Sequence, residues 1–210
     1  MAVENGGKPG PEDLEKPTVG LENGSCPIVK MKSIKAGDLP FLLLRVLAIC
    51  ATFSAALIMA LNKQTKTMVV ALIGTTPITG SITAKFQQTP AFVFFVVANA
   101  TACFHNMSLL LLRLYGNKLK AKVKELGLLL TISDMVMVAL LSAAAAATAA
   151  MAELAKNGNK HARWNKICDR FNAFCDHGGG ALIASFIGVV LLMTLNVLST
   201  IELYKNRALS

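Results

Sequence analysis

Two charged residues stand inside long apolar stretches of this 210-residue chain, and their chemistry needs an explanation first. Arg45 lies within Leu39 to Leu61, and Asp134 lies within Leu126 to Ala152. An ionised side chain near the centre of a membrane-spanning helix costs about 2.5 to 3.5 kcal/mol on insertion scales. At 1.5 Å per helical residue, the two lie about 9 and 12 Å from the same end of the membrane. Opposite charges at similar depth predict a salt bridge, which a guanidinium can make through two hydrogen bonds.

Three more polar residues are expected near this depth. His105 and Asn106 belong to a second apolar stretch, and Asn196 belongs to a fourth. Together with the charged pair they predict a polar belt that fixes how the helices are rotated and aligned. Two alternatives stay open: Arg45 extends to the membrane interface while Asp134 is protonated, or the belt is a path for an ion or a proton.

The elements that must position these residues follow from composition and length. Apolar residues make up 54% of the chain and charged residues 16%, whereas soluble proteins carry roughly 25% charged residues. Four segments reach the roughly 20 residues that a membrane helix needs, at about 39–61, 91–114, 126–152 and 180–203. We therefore predict an all-α membrane protein, a four-transmembrane-helix bundle over residues 39–210. Residues 1–38, rich in charge, Gly and Pro, are expected to form a disordered tail.

The orientation is predicted from basic residues. The short loop between the second and third spans carries Lys118, Lys120, Lys122 and Lys124. Because lysine-rich short loops stay in the cytosol, and an even number of spans puts both termini on one side, we expect cytosolic N- and C-termini. The same lysines are expected to bind anionic lipid of the inner leaflet, at about 1 kcal/mol each. Basic residues flank the spans instead of forming a separate surface, so nucleic acid is not an expected partner.

The second outer loop, before the fourth span, combines aromatic residues with two cysteines. Trp164, Phe171 and Phe174 recur at helical spacing, which predicts an amphipathic segment packed on the bundle or lying on the outer leaflet. Cys168 and Cys175 would stand about 10.5 Å apart in an unbroken helix, beyond the roughly 7 Å that a disulfide allows. Either the helix breaks between them or they do not pair. We favour the disulfide, because this loop is expected to face an oxidising compartment.

A zinc site is the weaker interpretation of the same loop. His161 and His177 flank the two cysteines, but the paired C-x2-C spacing of structural zinc sites is missing. No metal and no cofactor are therefore predicted. No nucleophile-base-acid set or Gly-rich phosphate loop is present in the sequence, so we expect a protein that is not an enzyme.

Three other segments have a structural interpretation. The first outer loop contains the apolar run Met68 to Ile73 and then Pro77, Gly80 and Pro90, which predicts a short strand or interfacial segment followed by turns. The alanine run 143–147 predicts close helix packing. Gly178 to Gly180, at the start of the fourth span, predicts close packing or a chain reversal.

With these features in place, the chain resembles the plant Casparian strip membrane domain protein-like (CASP-like) family, in particular its first subgroup. The resemblance covers all four spans and rests on five pieces of sequence: Leu44-Arg-Val-Leu-Ala48, Asn62-Lys-Gln-Thr-Lys66, Ala84-Lys-Phe-Gln-Gln-Thr-Pro-Ala-Phe-Val-Phe-Phe95, Ser133-Asp-Met135 and the Trp164, Cys168, Cys175 loop. An Arg in the first span and an Asp in the third are hallmarks of that family and match Arg45 and Asp134. The family is related to the MARVEL group of four-span proteins.

The resemblance implies a plasma-membrane protein that forms homo- and hetero-oligomers. Casparian strip members are immobile scaffolds that mark a membrane domain and recruit cell-wall-modifying enzymes. Their Leu-Pro-Phe-Phe signature is missing between Asn62 and Pro90, so the expected role is that of a related scaffold elsewhere in the plant. A small channel or transporter that uses the Arg/Asp belt is the competing hypothesis, although neither broken helices nor an inverted repeat is visible in the sequence.

Overall fold

The computed structural model describes residues 39–73, 76–115 and 123–208, which form four long helices and one hairpin. The helices are α1 (Leu39–Leu61), α2 (Pro90–Tyr115), α3 (Val123–Asn157) and α4 (Asn172–Ala208). All four are long and apolar enough to cross a membrane, which confirms the predicted fold class. The predicted tail, 1–38, lies outside the described residues, as do Lys118, Lys120 and Lys122. Lys124 belongs to the first turn of α3.

The observed helices begin and end where local chemistry requires. α1 has the predicted bounds, and α2 begins at Pro90, whose missing N–H costs nothing at a first helical position. α3 ends before Gly158, which takes the left-handed conformation at φ 69° and donates its N–H to the Leu154 carbonyl.

The fourth helix is longer than the predicted fourth span. α4 begins at Asn172, eight residues before the predicted start at Gly180. Gly178 to Gly180 are ordinary helical residues, so they make no chain reversal, because glycine lowers helix stability without breaking the hydrogen-bond ladder.

The helices pack in a ring. α1 packs along α2 and α4, and α3 packs along the same two helices from the opposite side. The core between them is built mainly from small residues: Ala48, Ala98, Ala102 and Ala144 are buried together with Leu141, Leu192 and Leu195. Such residues let helix backbones approach closely in lipid, where the hydrophobic effect does not drive helix association.

The segment between α1 and α2, which was predicted to be the first outer loop, is more regular than predicted. β1 (Lys63–Ile73) pairs antiparallel with β2 (Thr76–Lys85), with a bulge between Val69 and Ala71. Pro77 and Gly80, which predicted turns, lie within β2. A two-stranded sheet tolerates proline because both strands are edge strands. We call the end of the bundle that carries this sheet the hairpin end, and the opposite end the Arg45 end.

Candidate functional site

The site is a cluster of polar side chains inside the bundle, near the Arg45 end. Arg45 on α1 donates from Nη2 to Asp134 Oδ2 on α3 at 2.8 Å, and its Nη1 lies 3.4 Å from Oδ1. α1 and α3 are diagonal in the ring, so the long arginine side chain reaches across the bundle to meet its carboxylate. Both residues are buried, with Arg45 8% and Asp134 5% exposed.

Asn106 on α2 adds a third hydrogen bond to the guanidinium. Its Oδ1 accepts from Arg45 Nη1 at 3.0 Å, while its Nδ2 donates to the Ala102 carbonyl one turn earlier at 2.8 Å. The bond to the backbone fixes which side of the amide faces Arg45. The fully buried Asn106 therefore presents an acceptor to the cation.

His105, adjacent to Asn106, binds the other side of the carboxylate. Its Nε2 lies 2.9 Å from Asp134 Oδ1. Because an ionised carboxylate can only accept hydrogen bonds, Nε2 must carry a proton. Asp134 thus accepts from both Arg45 and His105, which connects α1, α2 and α3 through one side chain.

Asn196 lies apart from this cluster. Its Nδ2 donates 3.2 Å to the Thr131 carbonyl, one turn before Asp134 on α3. The structure therefore brings Arg45, His105, Asn106 and Asp134 together, whereas Asn196 makes a separate link between α4 and α3. The belt predicted over four helices is a direct network over three.

The arrangement is suited to holding helices in place. A buried ion pair offsets its desolvation cost best when its remaining donors and acceptors are also paired, and Asn106 and His105 supply two such partners. The alternative in which Arg45 extends to the interface is wrong, because its guanidinium is buried in bonds to α2 and α3. At the membrane end nearest to the cluster, the Arg113 guanidinium of α2 stacks 4.9 Å from the Phe41 ring centroid of α1.

A second group of contacts holds the hairpin end. Cys168 and Cys175 form a disulfide with a Cα–Cα distance of 5.7 Å, which is possible because α4 begins between them. The disulfide uses both thiols, so the zinc interpretation with His161 and His177 loses two of its four ligands. Ala155 of α3 accepts from the N–H groups of Ile167 and Cys168, which ties the loop to the bundle.

The aromatic residues of this loop do not lie on one helix, so helical spacing does not describe the segment that was predicted to be amphipathic and packed on the bundle or on the outer leaflet. Phe171 and Phe174 are buried, and the Phe174 ring lies 6.1 Å from that of Phe92 on α2. Trp164 is exposed and forms a β-bridge with Asn159. Arg163, which has a φ of 55°, helps to reverse the chain just before Trp164, so the helical spacing of the aromatic residues is interrupted there.

Two amides that the sequence analysis did not assign connect the hairpin to α4. Asn62 donates from Nδ2 to the Phe174 carbonyl at 2.7 Å, and Gln64 Oε1 accepts from the Phe174 N–H at 2.9 Å. Both belong to the segment Asn62 to Lys66, which carried part of the family resemblance. In the sequence, only their position in that segment could have indicated a role, because isolated amides follow no periodic pattern.

Comparison with known proteins identifies the family of the chain. A family model described as the Casparian strip membrane protein domain matches residues 35–191. The chain is 57% identical over 162 residues to CASP-like protein 1B2 of Populus trichocarpa, covering 77% of this chain and 81% of the relative. It is 53% identical over 163 residues to CASP-like protein 1B2 of Arabidopsis thaliana, covering 78% of this chain and 82% of the relative.

A third relative matches at nearly full length. CASP-like protein 1B1 of Glycine max is 47% identical over 205 residues, which is 98% of both chains. No solved structure matches. The matched region contains the whole Arg45, His105, Asn106 and Asp134 cluster, and the chain belongs to the Casparian strip membrane protein domain family, among its CASP-like members.

Proposed function

We propose that this protein is a non-enzymatic scaffold of the plant plasma membrane, with both termini in the cytosol. It assembles with copies of itself and with related four-span proteins, and so organises a membrane domain to which cell-wall-modifying proteins are recruited through the outer loops. Lys118, Lys120, Lys122 and Lys124 bind anionic lipid on the cytosolic side.

The observation that carries the proposal is the hairpin. Strands β1 and β2 form a two-stranded sheet, so each has an outer edge with no strand beside it in the part of the chain described. Val69 is 55% exposed and Ile78 is 45% exposed. An apolar edge strand with free backbone donors and acceptors is a template for pairing with another chain. A second hairpin is the partner that offers the same strands and the same apolar side chains.

The polar cluster supports the same function from inside the bundle. A scaffold needs subunits whose shape does not change on assembly, and the paired Arg45 and Asp134 hold three helices at fixed rotation. A transport path would need polar groups open to a passing solute, whereas these groups bond to each other.

Assembly can be tested on the full chain with a cytosolic fluorescent tag in the plant plasma membrane. We expect several bleaching steps per spot and little fluorescence recovery after photobleaching. Ile78→Lys should give single steps and rapid recovery, because a lysine on an edge strand opposes strand pairing. His161→Lys adds the same charge to an exposed loop position at the same end of the bundle and should behave like the unsubstituted protein.

Two results would overturn the proposal. One is a single bleaching step with complete recovery for the unsubstituted protein. The other is ion or solute flux in reconstituted vesicles that disappears in Asp134→Asn, which would make the protein a channel or transporter.

A further inference from the structure

A large cavity lies at the hairpin end, away from the polar cluster. Its volume is about 860 Å³, and it is an open cavity lined by the end of β2, the first turn of α2, the second half of α3, the disulfide loop and the start of α4. Met59, Phe92 and Met151 are among the side chains that make its walls mainly apolar. Pockets for small molecules fall between about 300 and 1,000 Å³ and have the same apolar character.

Glycines of α4 keep this space open. Gly178, Gly179 and Gly180 line the cavity, and a Cβ atom placed on Gly179 or Gly180 would meet nothing within 4 Å. Glycine in a membrane helix is usually explained by close contact with a neighbouring helix. Gly188 fits that explanation, since its Cβ would lie 3.0 Å from Thr52 Cγ2. Gly179 and Gly180 do not, and what their missing side chains provide is room.

The cavity has one polar rim and one apolar side. Lys85 ends β2 and Lys156 lies in the last turn of α3, and both line the cavity with a single carboxylate, Asp176. Ile183 also lines it and is 64% exposed on α4, so the cavity reaches an exposed apolar surface of the predicted fourth span, which we expect to face membrane hydrocarbon. A molecule with an anionic head and an apolar chain matches both ends and can enter from the bilayer.

The lysines, more than the apolar walls, decide what binds. A hydrocarbon chain that leaves the bilayer for an apolar cavity exchanges one apolar environment for another, so it gains little from the hydrophobic effect. The binding free energy therefore differs from that in bulk lipid through two features of the cavity. One is the charge of Lys85 and Lys156, and the other is the shape of the space around the glycines. We propose that this cavity binds a single-chain anionic amphiphile, a long-chain fatty acid, with its carboxylate at Lys85 and Lys156 and its chain against Gly178 to Gly180.

The proposal is tested on the full chain in lipid nanodiscs with a palmitic acid probe that carries a photoreactive diazirine in its chain. Mass spectrometry of the labelled peptides should place the probe on residues 148–156 and 178–183, and unlabelled palmitate should compete. The neutral analogue hexadecanol should compete about tenfold less well, because it lacks the charge that the lysines attract.

Substitutions then separate the cavity from the general lipid surface. Gly179→Leu combined with Gly180→Leu fills the space and should lower labelling about tenfold. Ala173→Leu adds the same side chain at an exposed position of α4 that does not line the cavity and should leave labelling unchanged. The competition measurements use the unsubstituted protein, so they stand even if the double variant does not fold.

Three outcomes would overturn the assignment. Labelling spread evenly over the lipid-facing residues of all four spans would mean that the probe reports bulk lipid. Equal competition by palmitate and hexadecanol would mean that the lysines recognise no anionic head. Covalent links from the cavity to a second copy of the chain would mean that a protein segment fills the space. If Ile78→Lys no longer assembles but is still labelled by the probe, then the cavity binds its ligand independently of the scaffold function.

Discussion

The two ends of the bundle are held by different chemistry. At the Arg45 end, side chains from three helices bond directly to each other, with a carboxylate between a guanidinium and an imidazole. At the hairpin end, a disulfide and two side-chain amides fix the chain around an open cavity. The first arrangement fills the interior with directional polar contacts, and the second braces the periphery and leaves space inside.

The difference shows how one small bundle combines rigidity with room for a ligand. Polar pairs inside a membrane fix helix rotation because each hydrogen bond has a required direction. A covalent link in a loop fixes position without using the interior. Arg45 and Met59 mark the two ends on α1 and stand about 21 Å apart along its axis. Substitutions at that separation normally have additive effects, so each end can be broken independently.

The largest expected effect is at the Arg45 end. Arg45→Leu leaves the Asp134 carboxylate buried without its cation, and we expect the free energy of unfolding to fall by about 3 to 5 kcal/mol. The measurement is denaturant unfolding of the full chain in detergent micelles, followed by the loss of helical circular dichroism.

The matched control is the double variant Arg45→Leu with Asp134→Leu. It removes both charges, and we expect it to recover most of the stability, because apolar replacement of a complete buried ion pair is often nearly neutral. If Arg45→Leu alone unfolds like the unsubstituted protein, then the bridge is not what holds this end.

A smaller effect is expected at the hairpin end. Cys175→Ser opens the link to Cys168, and the chain-entropy model gives a loss of about 2.5 kcal/mol for a loop of this length. The same unfolding assay measures it, and dithiothreitol should reproduce it in the unsubstituted protein.

Cys50→Ser is the control for the disulfide, since Cys50 is an exposed free cysteine on α1. It should change neither the stability nor the response to dithiothreitol. Because the two ends are far apart, combining Cys175→Ser with Arg45→Leu should give the sum of the two losses. A combined loss well below that sum would mean that the ends are coupled.

The sequence predicted the Arg45 end better than the hairpin end, and the reason is geometric. Helix rise is constant, so counting residues from the start of a span placed Arg45 and Asp134 at one depth. Depth does not give rotation, and so the sequence did not show that Asn196 bonds to Thr131 instead of joining the cluster.

The hairpin end depends on contacts that have no local pattern. Pro77 and Gly80 predicted turns because both residue types are common in turns. The pairing of β1 with β2 is a contact between two segments, and the types of single residues do not show it. Gly178 to Gly180 predicted close packing or a chain reversal, because glycine is common in both settings, although here they lie within α4 and line a cavity beside it. Asn62 and Gln64 could be recognised only once the start of α4 was placed beside the hairpin.

The smallest expected effects compare two glycines of the same helix. Gly188→Ala places a Cβ 3.0 Å from Thr52 Cγ2 in the packed core, and we expect a loss of about 1 to 3 kcal/mol from overpacking. Gly180→Ala meets open space and should raise stability by up to about 1 kcal/mol, because alanine favours the helix more than glycine does. Opposite signs in one unfolding assay would show that the first glycine serves helix packing and the second does not. A loss at both positions would place a neighbour against Gly180, and the cavity would then be occupied by protein and have no room for an amphiphile.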